Sequence, residues 1–183
     1  GIEVSDGAYR ILEKEGFWIL PGGEKKTENR IAMQKRSVAK VKRAVKWVRR
    51  LEALPYCRGV VFTGALAFFN CKKNSDWDIL VVTKENRIWA GRLFVTLFSM
   101  LLGKKRKGKN ITDKFCLNHF MAANNLIFSD RNEYSSAGLS LMYPIFGKKY
   151  FDKMQQLNFA WYRFYLPNFS QDAIGNDKLN KEG

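Results

Sequence analysis

Acids, cysteine and histidine are scarce in this sequence, and each scarcity removes a class of chemistry. Three cysteines, Cys57, Cys71 and Cys116, are an odd number in no C-x-x-C spacing. Neither a disulfide scaffold nor a cysteine-ligated zinc site is expected, and reduced, half-buried thiols fit a cytoplasmic chain. His119 is the single histidine, which excludes a multi-histidine metal cluster and leaves a Ser-His-Asp triad without support. Long apolar runs are missing too. The most apolar stretch, 93–102, is about half of what a bilayer span needs and reads as a buried helix, with peripheral contact to a membrane surface as the other option. No signal peptide is expected at the start, and Gly1 without a Met is expected of a processed or trimmed chain.

What is present is apolar and strongly cationic. A hydrophobic fraction of 46% and an aromatic fraction of 14% over 183 residues suffice for one domain, or for one domain with a small appendage. Lys and Arg number 32 against 17 Asp and Glu, a formal charge of +15, which points to an anionic partner such as nucleic acid or a nucleotide. A generally basic composition is the bland alternative.

The most informative stretch runs from Val60 to Thr83. Val60, Val61 and Phe62 predict a strand that stops at Thr63-Gly64, where glycine permits a sharp turn and close backbone approach. Residues 66–70 predict a short helix whose first N–H groups face the turn. Ser75-Asp76-Trp77-Asp78-Ile79-Leu80-Val81-Val82 then predicts a buried strand, and period two places Asp76 and Asp78 on one face. Adjacent carboxylates at the mouth of a core strand repel unless they share a cation, and Mg²⁺ takes oxygen ligands together with substrate phosphates. A pair of solvated acids beside Lys72 and Lys73 is the plainer explanation of the D-x-D alone.

Gly64-Ala65-Leu66-Ala67, Asn70 and the run Ser75 to Thr83 closely follow the pattern G-S-x-A-x-G/N followed by S-D-I-D-h-h-V-V-T. In this the sequence resembles the nucleotidyltransferase superfamily that includes DNA polymerase beta and the small bacterial and archaeal nucleotidyltransferases. Three further motifs resemble a prokaryotic branch of it: Arg87 to Arg92, Cys116 to Phe120 and Tyr165-Leu166-Pro167-Asn168 stand where that branch has an R-L-W-x-x-R helix, a C-L-N-x-F strand and a terminal L-P-N. Most of 40–169 falls under the resemblance. It implies an α+β fold, a small mixed sheet with helices in the polymerase beta-like arrangement, flanked by an N-terminal basic helix and C-terminal helices. It implies that Asp76 and Asp78 hold Mg²⁺ or Mn²⁺ against an NTP, with Gly64, Ala65, Ser75, Arg87 and Arg92 as nucleotide contacts. Two departures stand out. Ala65 replaces a serine that helps hold a triphosphate oxygen. The strand that usually brings a third carboxylate, 114–121, offers Asn118, taken here as the third metal ligand, or His119. The resemblance therefore implies nucleotidyl transfer to an acceptor, nucleic acid being favoured; the alternative is an inactive module of the same fold that binds RNA or DNA.

The remaining chain is expected to organise around this block. Residues 1–23 predict a short helix and an apolar strand-like run, either a partial winged-helix-like unit or a cap on the core. Residues 24–54 predict a helix capped by Thr27 or Asn29, with Ile31, Val38, Val41, Val45, Val48 and Leu51 on one stripe. Its other face carries Lys40, Arg43, Lys46 and Arg50, suited to phosphates or simply solvated. Residues 84–102 predict a helix from near Arg87, with Arg87 and Arg92 binding phosphate or reaching the surface. Residues 103–110 predict a flexible basic loop, with Lys104, Lys105, Arg106 and Lys107 offered to a nucleic-acid backbone. In 111–128, alternation places Phe115, Leu117 and His119 opposite Cys116, Asn118 and Phe120; either Asn118 or His119 faces the acids, and Asp113 enters only if the register shifts. Residues 129–169 predict two helices separated by Pro144 and Gly147, the first capped by Asp130 and Glu133. The second carries Tyr150, Phe151, Met154, Leu157, Trp161 and Phe164 or Tyr165 on its core stripe. Residues 170–183 predict a polar tail.

Overall fold

The structure, a computed structural model, describes residues 3–6 and 9–168. The tail expected over 170–183 lies outside the described residues. The fold is mixed α+β, with a small three-stranded sheet preceding a four-stranded one.

The first sheet comprises β1 (Glu3–Asp6), β2 (Tyr9–Lys14) and β3 (Phe17–Ile19), all antiparallel. The helix expected near Tyr9 is a strand. Glu15 and Gly16 both take positive φ, 53° and 77°, which gives the two-residue turn whose twist matches a hairpin. Pairing across that turn overrides the weak helical pattern.

Helix α1 (Glu24–Val48) follows, and a 3-10 turn (Arg49–Ala53) extends it to the boundary set by Pro55. Gly23 precedes the helix without a side-chain cap, while Thr27 is buried within it, so neither Thr27 nor Asn29 caps it. Of the expected stripe Val41, Val48 and Leu51 are buried and Ile31, Val38 and Val45 half-buried, with Ala44 buried beside them.

Strand β4 (Cys57–Phe62), helix α2 (Gly64–Ala67), β5 (Trp77–Thr83), α3 (Ile88–Leu101) and β6 (Phe115–Ala122) form the centre. Helix α4 (Glu133–Ser140), β7 (Tyr143–Phe146) and α5 (Lys148–Tyr165) complete the chain. The second sheet has order β6-β5-β4-β7; β5 and β6 run parallel and the other pairs antiparallel. Strand β7 is a correction to the expectation of helices alone: Pro144 breaks the helix by forming an edge strand, where a missing N–H is tolerated. Asn132, not Asp130, caps α4, its Oδ1 accepting from Ser135 N at 2.9 Å.

The sheet separates two cores. Trp77, Ile79 and Val81 point to the side of α1, α2 and α3, while Leu80 and Val82 point to the side of α4 and α5. The buried face of α5 is Phe151, Met154, Gln155, Asn158 and Tyr162, rotated from the expected stripe, and Leu157 and Phe164 are exposed. Asn158 belongs inside because its amide is satisfied: Oδ1 accepts from Phe128 N at 2.9 Å and Nδ2 donates to Leu126 O at 2.8 Å. The helix over 88–101 is not the buried helix expected. Gly91, Val95 and Ser99 pack inward, but Trp89, Leu93, Leu97, Met100 and Leu101 are exposed. Among the described residues, no helix is long and apolar enough to cross a membrane.

Candidate active site

The site begins where β4 ends. Thr63 N donates to the carbonyl of Asp78 at 3.0 Å, which pins the turn to the start of β5. Gly64 has φ 55°, and a Cβ there would lie 2.9 Å from Asp78 Oδ2. Glycine is required on both counts: it adopts the left-handed conformation freely, and it lets the backbone lie against the carboxylate. Thr63 makes no side-chain cap to α2. The first amides of that short helix, including that of Ala65, therefore have no side-chain acceptor at the turn.

Asp76 immediately precedes β5 and Asp78 is its second residue, and both are half-buried. Their carboxylates converge with the thiol of Cys116, one ligand atom from each lying within 4.8 Å of the others. Cys116 pairs directly with Asp78 across the parallel β5–β6 ladder. Burial, and then the charge of Asp76, push the Asp78 carboxyl above the usual carboxylate range, while the Cys116 thiol hydrogen bond, Arg106 and His119 act in the other direction. The Cys116 thiol is pushed up to about 11 by burial and by the Asp78 carboxylate that accepts its hydrogen bond. It therefore stays a neutral donor at physiological pH.

A register slip decides which β6 residues reach this face. Asp78 pairs with Cys116, but Leu80 pairs with His119, so β6 holds one residue more than β5 in the interval. The bulge breaks the alternation expected from sequence. Phe115, Leu117 and Phe120 pack on the α1 side, whereas Cys116 and His119 share the Asp78 side. His119 thus faces the site. The side chain of Asn118, the expected third metal ligand, lies outside the described residues; Cys116 is the third donor group brought to the two aspartates.

The basic loop is ordered around the same point. Lys104 N and Lys105 N donate to Ser99 O, Phe115 N donates to Lys104 O, and Arg106 N donates to Phe115 O. These bonds fold the loop along the start of β6 and place Arg106 Nη1 2.8 Å from Asp76 Oδ2 and 3.7 Å from Cys116 Sγ. Arg106, expected to bind a nucleic-acid backbone, is the counter-ion of Asp76. Lys104 lies over the rings of Trp47 and Trp77, and burial lowers its pKa. Lys105 and Lys107 are exposed.

Lys40 departs furthest from expectation. It is 1% exposed, and its Nζ donates to Ser75 O at 2.8 Å and to Asp113 Oδ1 at 2.7 Å. Arg43 reaches the other Asp113 oxygen at 3.3 Å. Asp113 therefore ties α1 to the loop before β6 and stays out of the acidic cluster. The Ser75 carbonyl ties the same lysine to the loop before β5. Arg43, Lys46 and Arg50 remain exposed on α1, Arg50 over the Trp47 ring.

Arg87 and Arg92 are not brought to the acids. Strand β5 runs away from Asp78, and Lys84 N bonds Tyr56 O at its far end, where Arg87 begins α3. Arg92 lies over the rings of Trp89 and Phe120. Sequence reasoning missed Cys116 and the pairing role of Arg106. Both depend on the parallel β5–β6 register, which no local pattern specifies.

Beside the acids opens a cavity of about 250 Å³, lined by Thr63, Gly64, Phe68, Asp78, Leu80, His119, Phe128, Tyr134 and Met142 among others. Its walls are largely apolar and aromatic, with Thr63, Asp78, His119 and Ser135 as polar members, a composition suited to a small organic ligand. Comparison with protein-family models and with curated proteins finds no match to this chain.

Proposed function

We propose that this chain is a nucleotidyltransferase of the polymerase beta-like arrangement, transferring a nucleotidyl group from an NTP to an acceptor. One observation carries the reading: the Gly64 turn lies directly against Asp78, with Asp76 converging on the same point. Backbone amides set beside two converging carboxylates are what binding a metal-nucleotide requires. Asp76 and Asp78 would hold Mg²⁺ or Mn²⁺, whose hard character suits their oxygens; Cys116 suits them as a hydrogen-bond donor to Asp78 better than as a ligand. When bound, the ion would supply charge neutralisation at the reacting oxygens.

The chain's own groups do the rest. Amides after Gly64 orient the phosphates, the half-buried Phe68 and Phe128 border the nucleoside side with the exposed Tyr134 at its mouth, and His119 offers an imidazole for the acceptor proton. Arg43, Lys46 and Arg50 present cations to an acceptor such as nucleic acid.

Incubation with each labelled NTP and total RNA, in Mg²⁺ and separately in Mn²⁺, tests this. Labelled product from wild type and none from Asp78→Asn is expected. Isothermal titration with Mg-ATP is the binding control: affinity that survives Asp76→Ala unchanged would remove the reading. The second reading, an inactive module of this fold that binds RNA or DNA, is favoured by one observation, the Arg106 guanidinium already seated on Asp76. It expects RNA binding without labelled product.

A further inference from the structure

We propose that the outward face of α3, with the lysine-rich loop that follows it, docks on an anionic lipid bilayer surface. The helix is apolar on both sides. Gly91, Val95 and Ser99 are buried against the protein, while Trp89, Leu93, Leu97, Met100 and Leu101 are 76%, 56%, 48%, 55% and 85% exposed. At about 100° per residue, these five cover an arc of about 120° centred opposite the buried three. A helix apolar all round belongs in a core or against a second apolar phase. Here the protein covers one side only.

The charges at the two ends of the helix select the occupant. Between residues 84 and 110 there are eight Lys and Arg and a single acid, Glu85. Arg106 and Lys104 are engaged as described, but Lys105, Lys107 and Lys109 are exposed. Their loop is bonded through Lys104 N and Lys105 N to Ser99 O, at the C-terminal end of the helix. Arg87 and Arg92 are exposed at the other end. A second copy packed antiparallel would set these lysines against Arg87 and Arg92; packed parallel, it would set lysine against lysine. Like charges meet either way. A nucleic-acid backbone would satisfy the lysines but leave Leu93, Leu97 and Leu101 in water. An anionic bilayer meets both needs. Acidic headgroups face the lysines, the acyl boundary takes the leucines, and Trp89 sits at the interface that indoles prefer. The helix, about 21 Å long, would lie flat in that plane. The association is peripheral and reversible, and it is independent of the proposed transfer activity.

The test is co-sedimentation of the full chain with vesicles of phosphatidylcholine alone and with about 30% phosphatidylserine added. Wild type should bind the acidic vesicles strongly and the neutral ones weakly. Leu93→Glu with Leu97→Glu should weaken binding to acidic vesicles by at least about tenfold. Both positions point to water, so the fold should survive, and a Leu93→Ser/Leu97→Ser pair provides a milder variant. Lys105→Gln, Lys107→Gln and Lys109→Gln together should reduce binding to the level seen on neutral vesicles. Trp89→Phe should remove a blue shift of indole emission that acidic vesicles induce. No acid-dependent binding by wild type, or equal binding by the Leu93/Leu97 variants, would overturn the proposal. So would a wild-type dimer that dissociates in those variants, which assigns the face to a second copy, or an RNA affinity lost in them, which assigns it to nucleic acid.

Discussion

Arg106 Nη1 lies 2.8 Å from Asp76 Oδ2, joining residues thirty positions apart. The guanidinium is a cation paired with one of two carboxylates that repel one another, and it occupies ground that a divalent ion would claim. Removing it should therefore have opposite effects with and without metal. Arg106→Gln is expected to lower the Tm in chelator and to tighten Mn²⁺ binding several-fold, so that Mn²⁺ raises its Tm more than it raises that of wild type. Thermal melts in chelator and in Mn²⁺ check this. Equal metal-induced shifts in both proteins would show that the arginine and the ion do not compete.

Gly64→Ala tests the contact between turn and acid. The added methyl would lie 2.9 Å from Asp78 Oδ2 and would hold a non-glycine residue at φ 55°. The conformational part alone costs about 1–2 kcal/mol. The methyl also displaces the Asp78 carboxylate, so loss of Mg-ATP affinity is expected to exceed what the stability change explains. Urea unfolding and isothermal titration on the same preparation separate the two effects. If stability falls while nucleotide affinity is unchanged, the turn is structural only.

The two strands bearing the turn and the acids, their connecting turn and the convergence of Asp76 with Asp78 were all legible from local pattern, because period, glycine and β-branched runs are local signals. Pairing register is not one. The bulge opposite Ile79 sets Cys116 and His119 on one face, and nothing in 115–122 marks it. Strand β7 is short and contains Pro144, which reads as a breaker until an edge position beside β4 is available. The stripe of α5 was misplaced because Asn158 is polar; its inward position follows only from Leu126 and Phe128, more than twenty residues away in sequence. Lys40 misled for the same reason: its partner Asp113 is 73 residues distant.

That buried lysine carries a large stability prediction. Lys40→Met removes the charge that satisfies Ser75 O and Asp113 Oδ1. Losing one partner of a buried pair is severe, but Asp113 retains 26% side-chain exposure and its contact with Arg43, so about 2–4 kcal/mol is expected. Combining it with Asp113→Asn should cost clearly less than the sum of the single changes, because the second removes the carboxylate the first leaves unpaired. Urea midpoints of the four proteins give the coupling. Additive losses would mean that the ion pair contributes nothing beyond packing.

Cys57 contributes to the loss of stability at alkaline pH. It is buried in the α1-side core, and that burial pushes its thiol from 9.0 to about 12, with the Gly59 backbone hydrogen bond and the Arg58 charge acting the other way. Below the unfolded value the thiol is protonated in both states, and its contribution to stability is complete. As pH rises from 9.0 towards about 12, the unfolded chain loses a proton that the folded chain keeps, so stability falls throughout that window. Burial raises the Cys71 and Cys116 thiols as well, and the contribution of Cys57 is isolated by comparing wild type with Cys57→Ala. The variant loses packing at every pH, but between about pH 8 and about pH 10 wild type should lose about 1.4 kcal/mol more than the variant does. Urea unfolding at a series of pH values reads this difference directly. Parallel pH profiles for the two proteins would place the Cys57 thiol in contact with water and contradict its packing beneath α1.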